Sequence, residues 1–283
     1  MTLFDCAHPS PVPGTTLSKG QGKRRAALFA ILLTASACAA RTPPRPAGPP
    51  GQDPTAIDAF TTATASCRGF RSLTGELSLS GRAAGERIRG RVIAGLESGG
   101  SVRLEGVAPF GPPIFILAGK GEIATLLLPR EHRVLTNTAV SAVLERLTGL
   151  ALGADDLRLM VSGCLADNAA PSEGKQWPGG WQAVTLAPGR VAYLRLLHGQ
   201  PVVVAADYGP WHLDYSEHLS GYPRVLRVRR AGDATTDLTA RVGELEVNTA
   251  INPLAFTLDV PSDADPMTLD ELRSVAPLVP KEP

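Results

Sequence analysis

The sequence predicts an α+β fold in which a curved antiparallel sheet encloses a pair of short helices. Residues 138–163 show the apolar spacing of helices, whereas most of the chain between residues 72 and 260 shows the two-residue alternation of strands. A sheet buries one face and a helix buries one stripe, so helices set within a run of strands favour a sheet that curls around them. At 283 residues the chain is long enough to bury a large core.

The central helical stretch divides into two helices. In the first, four apolar residues share one face at spacings i, i+3, i+4 and i+7: Val140, Val143, Leu144 and Leu147. Gly149 ends this helix, and Asp155 and Asp156 begin the second, because carboxylates are favourable at the positive end of a helix. Gly163 ends the second helix, where glycine accommodates a left-handed conformation.

Strand patterns begin at Ser72 and predict an antiparallel meander with one apolar face. Three strands joined by glycine-containing turns cover residues 72–107, and two more cover 114–118 and 123–128. After the helices, seven further strands are predicted: 183–186, 190–197, 201–208, 211–215, 222–230, 237–248 and 255–260. The tryptophan-containing segment 174–182 is predicted to be a loop that caps the sheet or rims a cavity.

Residues 107–113 predict a stiff protruding loop, because they contain three prolines and a glycine. Phe110 is the large apolar residue of this loop. It is either packed beneath the loop or exposed, and exposure of a single aromatic residue is common.

The first 37 residues have the architecture of a secretory signal. A basic region at residues 23–25 precedes an apolar core that is too short to cross a hydrocarbon layer of about 30 Å. Residues 35–38, Ala-Ser-Ala-Cys, resemble the bacterial lipobox, which implies cleavage before Cys38 and acylation of that residue, as with palmitate. The alternative is an ordinary signal peptide cut near residue 37 or 40.

Three further segments follow the signal. Residues 38–54 are proline-rich and predict a semi-extended tether that lifts a domain from a membrane surface. No break in composition divides the strands, so residues 55–276 predict one domain. Residues 277–283 predict a frayed tail.

Two cysteines remain once the signal is removed and Cys38 is acylated, namely Cys67 and Cys164. The compartment outside the inner membrane is oxidising, so these two residues are expected to form a disulfide. The bridge would tie a short helix predicted over residues 56–66 to the central helical pair. Neither cysteine has a CxxC or basic setting, so its role would be structural.

Charge and motif content argue against several classes of function. The formal net charge of +1 provides no basic field for nucleic acid. Residues 119–124 match GxGxxA, but strand residues follow them, so no dinucleotide site is predicted. His212 and Asp214 share a strand face, which leaves a hydrolytic acid–base pair as an alternative to solvated turn residues. Their spacing fits no zinc motif, and no catalytic residue, metal or cofactor is predicted.

Arginines concentrate in two strands, at residues 87–91 and 224–230. One interpretation is that they occupy outward strand faces, where charge blocks edge-to-edge pairing. The other is that they contact anionic lipid headgroups or an acidic carrier surface.

Several segments resemble the outer-membrane lipoprotein receptor family LolB and, more broadly, the LolA-like superfamily with LppX and the RseB sensor domain. Residues 144–163 resemble that family's helix, Leu-Thr-Gly, short loop and second helix ending in glycine. Residues 108–111, Ala-Pro-Phe-Gly, resemble its Asn-Pro-Leu-Gly loop, in which an exposed leucine is functionally important. Residues 222–248 resemble its closing strands, and residues 255–272 resemble the ending of the wider group.

This resemblance, which covers most of residues 60–260, implies an eleven-stranded half-barrel with helices in its concave face and an apolar cavity for acyl chains. Phe110, flanked by Pro109 and Gly111, takes the place of the family's membrane-probing leucine. Twelve apolar side chains are expected to line the cavity: Leu77, Leu79, Val92, Leu104, Ile116, Leu126, Val143, Leu144, Leu147, Leu150, Leu157 and Met160.

The resemblance also implies a function without catalysis. It describes a monomeric, lipid-anchored protein that faces the periplasm, in the outer membrane, and takes part in lipoprotein localisation. The implied partners are acyl chains of lipoproteins or other lipids, a LolA-like periplasmic carrier, and the inner leaflet of the outer membrane. The alternative is a periplasmic carrier of another lipid, or a lipoprotein-sensing regulatory protein with the same fold.

Overall fold

The computed structural model describes residues 45–166, 170–275 and 277–279. By its internal contacts the chain divides into residues 1–41 and residues 42–283, and every element below belongs to the second unit. The predicted signal and Cys38 lie outside the described residues. The second unit carries its own hydrophobic core and its own disulfide, so it can be studied as a separate fragment.

Four α-helices occur in the part of the chain that the structure describes: α1 Thr55–Ala63, α2 Val140–Thr148, α3 Ala154–Ser162 and α4 Leu269–Val275. The same residues form fifteen strands: β1 Gly51–Gln52, β2 Ser72–Ala83, β3 Glu86–Glu97, β4 Ser101–Val107, β5 Ile116–Lys120, β6 Ile123–Leu128, β7 Arg133–Ala139, β8 Glu173–Trp177, β9 Trp181–Ala187, β10 Arg190–Leu197, β11 Gln200–Tyr208, β12 Trp211–Leu219, β13 Tyr222–Arg230, β14 Asp233–Val247 and β15 Asp265–Pro266.

All fifteen strands belong to one open, curved sheet, in the order β1-β8-β9-β10-β11-β12-β13-β14-β2-β3-β4-β5-β6-β7-β15. The pairs are antiparallel, except that β15 runs parallel to β7. Because β14 pairs with β2, the strands before the central helices and those after them form one continuous surface. The predicted fold class is confirmed. The strand number differs from the eleven that the resemblance implied, and two of the fifteen strands are two-residue edge strands.

Helices α2 and α3 lie in the hollow of this sheet. Helix α3 contacts β2, β3, β4 and β13, and therefore strands from both halves of the chain, whereas α2 contacts β6, β7 and α4. Three hydrogen bonds and ion pairs hold α3 to the sheet. Tyr215 donates to the main-chain oxygen of Met160 at 3.0 Å, and Asp156 accepts from Tyr208 and Arg190.

The connection between α2 and α3 requires a glycine at Gly149. This residue has a φ of 72°, and a Cβ added there would lie 2.9 Å from the Cβ of Ala83. A side chain would be both strained and too close to strand β2. The close approach seats the end of α2 against the hairpin between β2 and β3.

A disulfide joins Cys67 to Cys164, with their Cα atoms 5.4 Å apart. Cys67 ends a 3₁₀ turn after α1, and Cys164 follows α3. The bridge therefore ties the N-terminal helix to the central helical pair.

Two predicted elements, at residues 255–260 and 174–182, differ from the structure. The strand predicted over residues 255–260 is wrong, because Pro253–Phe256 forms a 3₁₀ turn in which the Asn252 side chain accepts from the backbone N–H of Leu254 at 3.0 Å. The loop predicted over residues 174–182 contains most of β8 and a tight hairpin turn to β9. Strand β7 and helix α4 had no counterpart in the predicted elements.

The described part of the predicted tether lies against the sheet. Gly51 and Gln52 pair with β8, and the Trp177 indole donates to the main-chain oxygen of Gly48 at 3.0 Å. Arg45 is bound to side chains of β11 and β12. A short strand thus forms within the proline-rich segment, because Gly51 and Gln52 are not prolines and can pair with the exposed edge of β8.

The C-terminal segment crosses the concave side of the sheet. It starts with edge strand β15 beside β7, where the Met267 N–H donates to the main-chain oxygen of Val134 at 2.8 Å, and continues through α4. It then reaches β3, where the Leu278 carbonyl accepts from the Arg89 N–H at 3.2 Å. Residues 277–279 therefore differ from the frayed tail that the sequence predicted.

Candidate functional site

An apolar cavity of about 70 Å³ lies between the two central helices and the sheet. Eighteen residues line it: Leu77, Leu79, Val92, Leu104, Phe115, Leu144, Leu147, Thr148, Leu150, Leu152, Leu157, Met160, Val161, Leu226, Val228, Leu238, Ala240 and Leu278. Every lining side chain except that of Thr148 is apolar. An empty space with such walls stays dry, because a water molecule inside would find almost no hydrogen-bond partner.

Nine of the twelve residues predicted to line a cavity border this one: Leu77, Leu79, Val92, Leu104, Leu144, Leu147, Leu150, Leu157 and Met160. Leu126 and Val143 are fully buried in the same core but do not reach the cavity. Ile116 points the other way, since its two neighbours, Phe115 just before β5 and Leu117 within it, are the residues buried in the core. The predicted register was wrong by one residue, after a loop that contains two consecutive prolines.

Nine lining residues were not predicted. Leu226, Val228, Leu238 and Ala240 come from two strands that the sequence predicts, so the alternation in β13 and β14 was a usable signal. Phe115, Thr148, Leu152 and Val161 lie within two residues of predicted positions. No sequence signal could have identified Leu278, because residues 277–279 are too few to show an apolar periodicity.

A polar groove of about 430 Å³ adjoins the cavity, and the two share Leu147 and Leu278 as lining residues. The charged residues of the groove come from the β2–β3 hairpin, α2, the β13–β14 hairpin and α4: Glu86, Glu145, Arg146, Arg230, Asp233 and Arg273. The arrangement is therefore amphipathic, with an apolar interior on one side of two leucines and a charged groove on the other.

Phe110 is 89% exposed at the tip of its loop. Of the two arrangements that the sequence allowed, packed beneath the loop or exposed, the structure shows the exposed one. The Arg130 guanidinium donates to the main-chain oxygens of Phe110 and Pro112, which holds the loop from the side. Val107, where the loop begins, pairs with Arg91, so the loop leaves the sheet at the end that carries the β2–β3 hairpin. That is also the end at which the groove lies.

His212 and Asp214 lie in a polar cluster on the outer face of β11 and β12. The Asp207 carboxylate is 2.6 Å from Nδ1 of His212, accepts from the Tyr193 hydroxyl at 2.8 Å, and is bound by Arg45. Asp214 is paired with Arg229 at 2.6 Å. The Arg45 guanidinium thus occupies the space beside the imidazole, and the cluster serves as the socket for Arg45.

The pKa values in this socket follow from its packing. Burial raises the pKa of Asp207, but the charge of Arg45 and the hydrogen bonds from Tyr193 and His212 outweigh burial, so the pKa lies below its usual value. Burial, together with the hydrogen bond to Asp207, raises the pKa of Tyr193 to about 12. At neutral pH the aspartate is ionised and the tyrosine is protonated, which is the state that binds Arg45.

Arg227 and Arg229 of the second arginine concentration, and the arginines of the first, lie on outward strand faces, whereas Arg230 lines the charged groove. Arg227 is paired with Asp237, Arg229 with Asp214, and Arg91 with Glu76. Arg87 and Arg89 are exposed. The paired arginines serve as cross-strand partners of neighbouring carboxylates.

Within the described ranges, no three His, Cys, Asp or Glu side chains come close enough to bind a metal ion. None of the helices there has the length and apolar character needed to cross a membrane.

No protein-family model matches the sequence, and no curated protein matches it either. Solved structures similar to it include a DUF1329 family protein from Desulfovibrio piger, with 13% sequence identity and a TM-score of 0.44, covering 72% of this chain and 96% of that one. A LolA superfamily protein from Nitrosomonas europaea has 9% identity and a TM-score of 0.45, covering 74% and 98%. The lipoprotein LppX from Mycobacterium tuberculosis has 9% identity and a TM-score of 0.32, covering 71% and 98%. At such values the function of this chain has to rest on its own cavity and surfaces.

Proposed function

We propose that this protein binds acyl chains and takes part in placing lipoproteins in the outer membrane, to which it is anchored through Cys38. The single observation that carries the proposal is the apolar cavity of about 70 Å³ between the two central helices and the sheet. Its walls offer apolar contact and almost no polar group, which is the chemistry that a hydrocarbon chain requires.

The empty cavity lowers the stability of the folded protein. An empty apolar space destabilises a protein by about 24 cal/mol for each Å³, so this one costs roughly 2 kcal/mol. Larger side chains at Ala240 or Val228 would remove that cost. A void at the centre of an otherwise packed core is therefore expected of a protein that must admit another molecule there.

Binding in such a site is both favourable and reversible. Each methylene transferred from water into an apolar site contributes about 0.8 kcal/mol, and a bilayer offers the same gain. A chain held in the cavity can therefore pass to a membrane with little change in free energy. Binding and release then depend on access to the cavity, with no chemical step.

The exposed loop supplies a means of delivery. Phe110 is fixed by Arg130 at the end of the sheet that carries the charged groove, and an aromatic side chain is favourable at a membrane interface. We place this end against the inner leaflet of the outer membrane. Acylation of Cys38 would keep the domain near that surface, and a LolA-like carrier would bring the lipoprotein to it.

Native mass spectrometry of residues 42–283, purified without detergent from bacterial periplasm, tests the proposal. The expected result is a bound species whose mass and extracted chains identify a lipid, with tight binding of a fluorescent C16 fatty acid after delipidation. The mass of the extracted molecule also separates a lipoprotein acyl group from another lipid. A protein that carries no lipid and binds no fatty acid would overturn the proposal.

A further inference from the structure

We propose that the C-terminal residues 277–279 compete with the ligand for the cavity, and that an entering acyl chain displaces Leu278. This inference rests on the proposed function and concerns the regulation of the same site. Leu278 is 2% exposed and is one of the residues that line the cavity.

The seat of Leu278 is shaped for a side chain that arrives from outside the sheet. Its carbonyl accepts from the Arg89 N–H at 3.2 Å, beyond Arg91, the last residue of β3 that pairs with β4. At Gly90 a Cβ would lie 3.0 Å from the Leu278 Cδ2, so the glycine leaves the room that the leucine fills. The segment thus extends an open strand edge and inserts one apolar side chain, which is how peptides bind to sheet edges.

The segment is held by fewer interactions than the rest of the cavity wall. Most other wall residues belong to antiparallel ladders or to α2 and α3. Phe115, Leu150 and Leu152 lie in short connections that are held at both ends by such elements. Upstream, α4 is anchored by the fully buried Leu272, and its exposed ion pairs Arg133–Glu271 and Arg146–Asp270 are weak in water. Helix α4 can therefore stay in place when residues 277–279 withdraw. Residues 277–279 are therefore the part of the wall that opens at the least cost.

The size of the cavity requires something to move. Sites for drug-sized ligands span about 300–1,000 Å³, and the cavity measures about 70 Å³. Leu147 and Leu278 separate it from the groove of about 430 Å³. Leu147 lies on the buried face of α2, so withdrawal of Leu278 is the change that joins the two spaces into one of sufficient size.

Ligand binds only those molecules in which Leu278 has withdrawn. The apparent dissociation constant is therefore the intrinsic one divided by the fraction of such molecules. Such a competitor also favours release, because the leucine refills the site as the acyl chain leaves. A protein that hands a lipid to a membrane benefits from both effects.

The test compares binding of a fluorescent C16 fatty acid by residues 42–283 and by three variants. In Leu278→Ala the competing side chain is shortened, and in the second variant the chain ends at Val275. The third, Leu254→Ala, is the matched control, since Leu254 is 74% exposed and lies outside the cavity. We expect the first two to bind about tenfold more tightly than the unmodified protein and the control to bind equally.

Equal affinity in all four proteins, or weaker binding by Leu278→Ala, would overturn the competition while leaving the proposed function in place. Absence of binding in all four would overturn both. Binding only after removal of Leu278 would support the competition strongly. Hydrogen exchange gives a second readout in the unmodified protein: the Arg89 amide should exchange faster once ligand is bound, and an amide that stays protected would contradict displacement.

Discussion

Arg45 is bound to Asp207, a residue 162 positions further along the chain. The same guanidinium lies 2.9 Å from Nδ1 of His212 and donates to the main-chain oxygen of Ala206 at 2.7 Å. One side chain from a proline-rich segment thus fixes the start of the described domain to two strands of the sheet. Six residues lie between Cys38 and Arg45, so the chain between the two residues spans seven Cα–Cα steps and at most about 25 Å.

Replacing Arg45 with alanine should release residues 45–50 from the sheet. The carboxylates of Asp207 and the nearly buried Asp214 lose a cation, so the free energy of unfolding should fall by about 1–3 kcal/mol. Urea denaturation measures the change, and limited proteolysis before residue 50 should become faster. Arg68→Ala is the control, because Arg68 is exposed. Equal stability of the two variants would show that the socket contributes nothing.

The contribution of Tyr193 to the free energy of unfolding should decrease at alkaline pH. Its pKa rises from 10.0 to about 12 in the folded protein, chiefly through burial. The folded state therefore holds a proton that the unfolded state loses first, so this contribution is complete below pH 10 and declines between pH 10 and 12. The difference in unfolding free energy between the unmodified protein and Tyr193→Phe should shrink across that range. A difference that stays constant with pH would contradict the assignment.

Removing the disulfide should lower stability more than any single change on the surface. The bridge spans a sequence separation of 97, for which loop entropy predicts about 4–5 kcal/mol, and measured values are often smaller. The double variant Cys67→Ser, Cys164→Ser should unfold at lower urea concentration and should be insensitive to reductant. A loss below about 1 kcal/mol would show that packing alone holds α1 to the central helices.

Phe110→Glu should leave the fold intact and impair contact with membranes. The side chain is 89% exposed, so folding loses little, whereas a carboxylate is repelled by an anionic lipid surface. Sedimentation with vesicles of outer-membrane lipid composition measures binding, and transfer of a fluorescent lipid measures delivery. Leu254→Glu, at another exposed apolar position, should behave as the unmodified protein does. Unchanged delivery by Phe110→Glu would rule out this loop as the membrane contact.

The two central helices were predictable because their signals are local. Apolar spacing, acidic residues at the start and glycine at the end all lie within 26 residues, and α2 and α3 form within that stretch. Alternation likewise identified most long strands. It assigned the core-facing residues of β5 one position off, after a loop that contains Pro112 and Pro113, and placed the start of the strand at 114 and not at Ile116.

The parts that sequence reasoning missed depend on distant partners. Residues 255–260 alternate as a strand does, but Asn252 and Pro253 start a 3₁₀ turn that packs Phe256 against β4 and β5. Nothing near Arg45 indicates a socket 162 residues away. Leu278 was likewise taken for part of a frayed tail, because its burial depends on distant residues, among them Gly90 and the other side chains that line the cavity.

Filling the cavity tests the central claim most directly. Ala240 lines the cavity, and Ala240→Leu would occupy much of its volume of about 70 Å³. Ala234→Leu, at an exposed position of the same strand, is the matched control. The measurement is the dissociation constant for a fluorescent C16 fatty acid, with urea denaturation showing that both variants are folded. The account predicts binding at least about tenfold weaker in Ala240→Leu and unchanged in the control, whereas a folded Ala240→Leu that binds as the unmodified protein does would show that acyl chains do not enter this cavity.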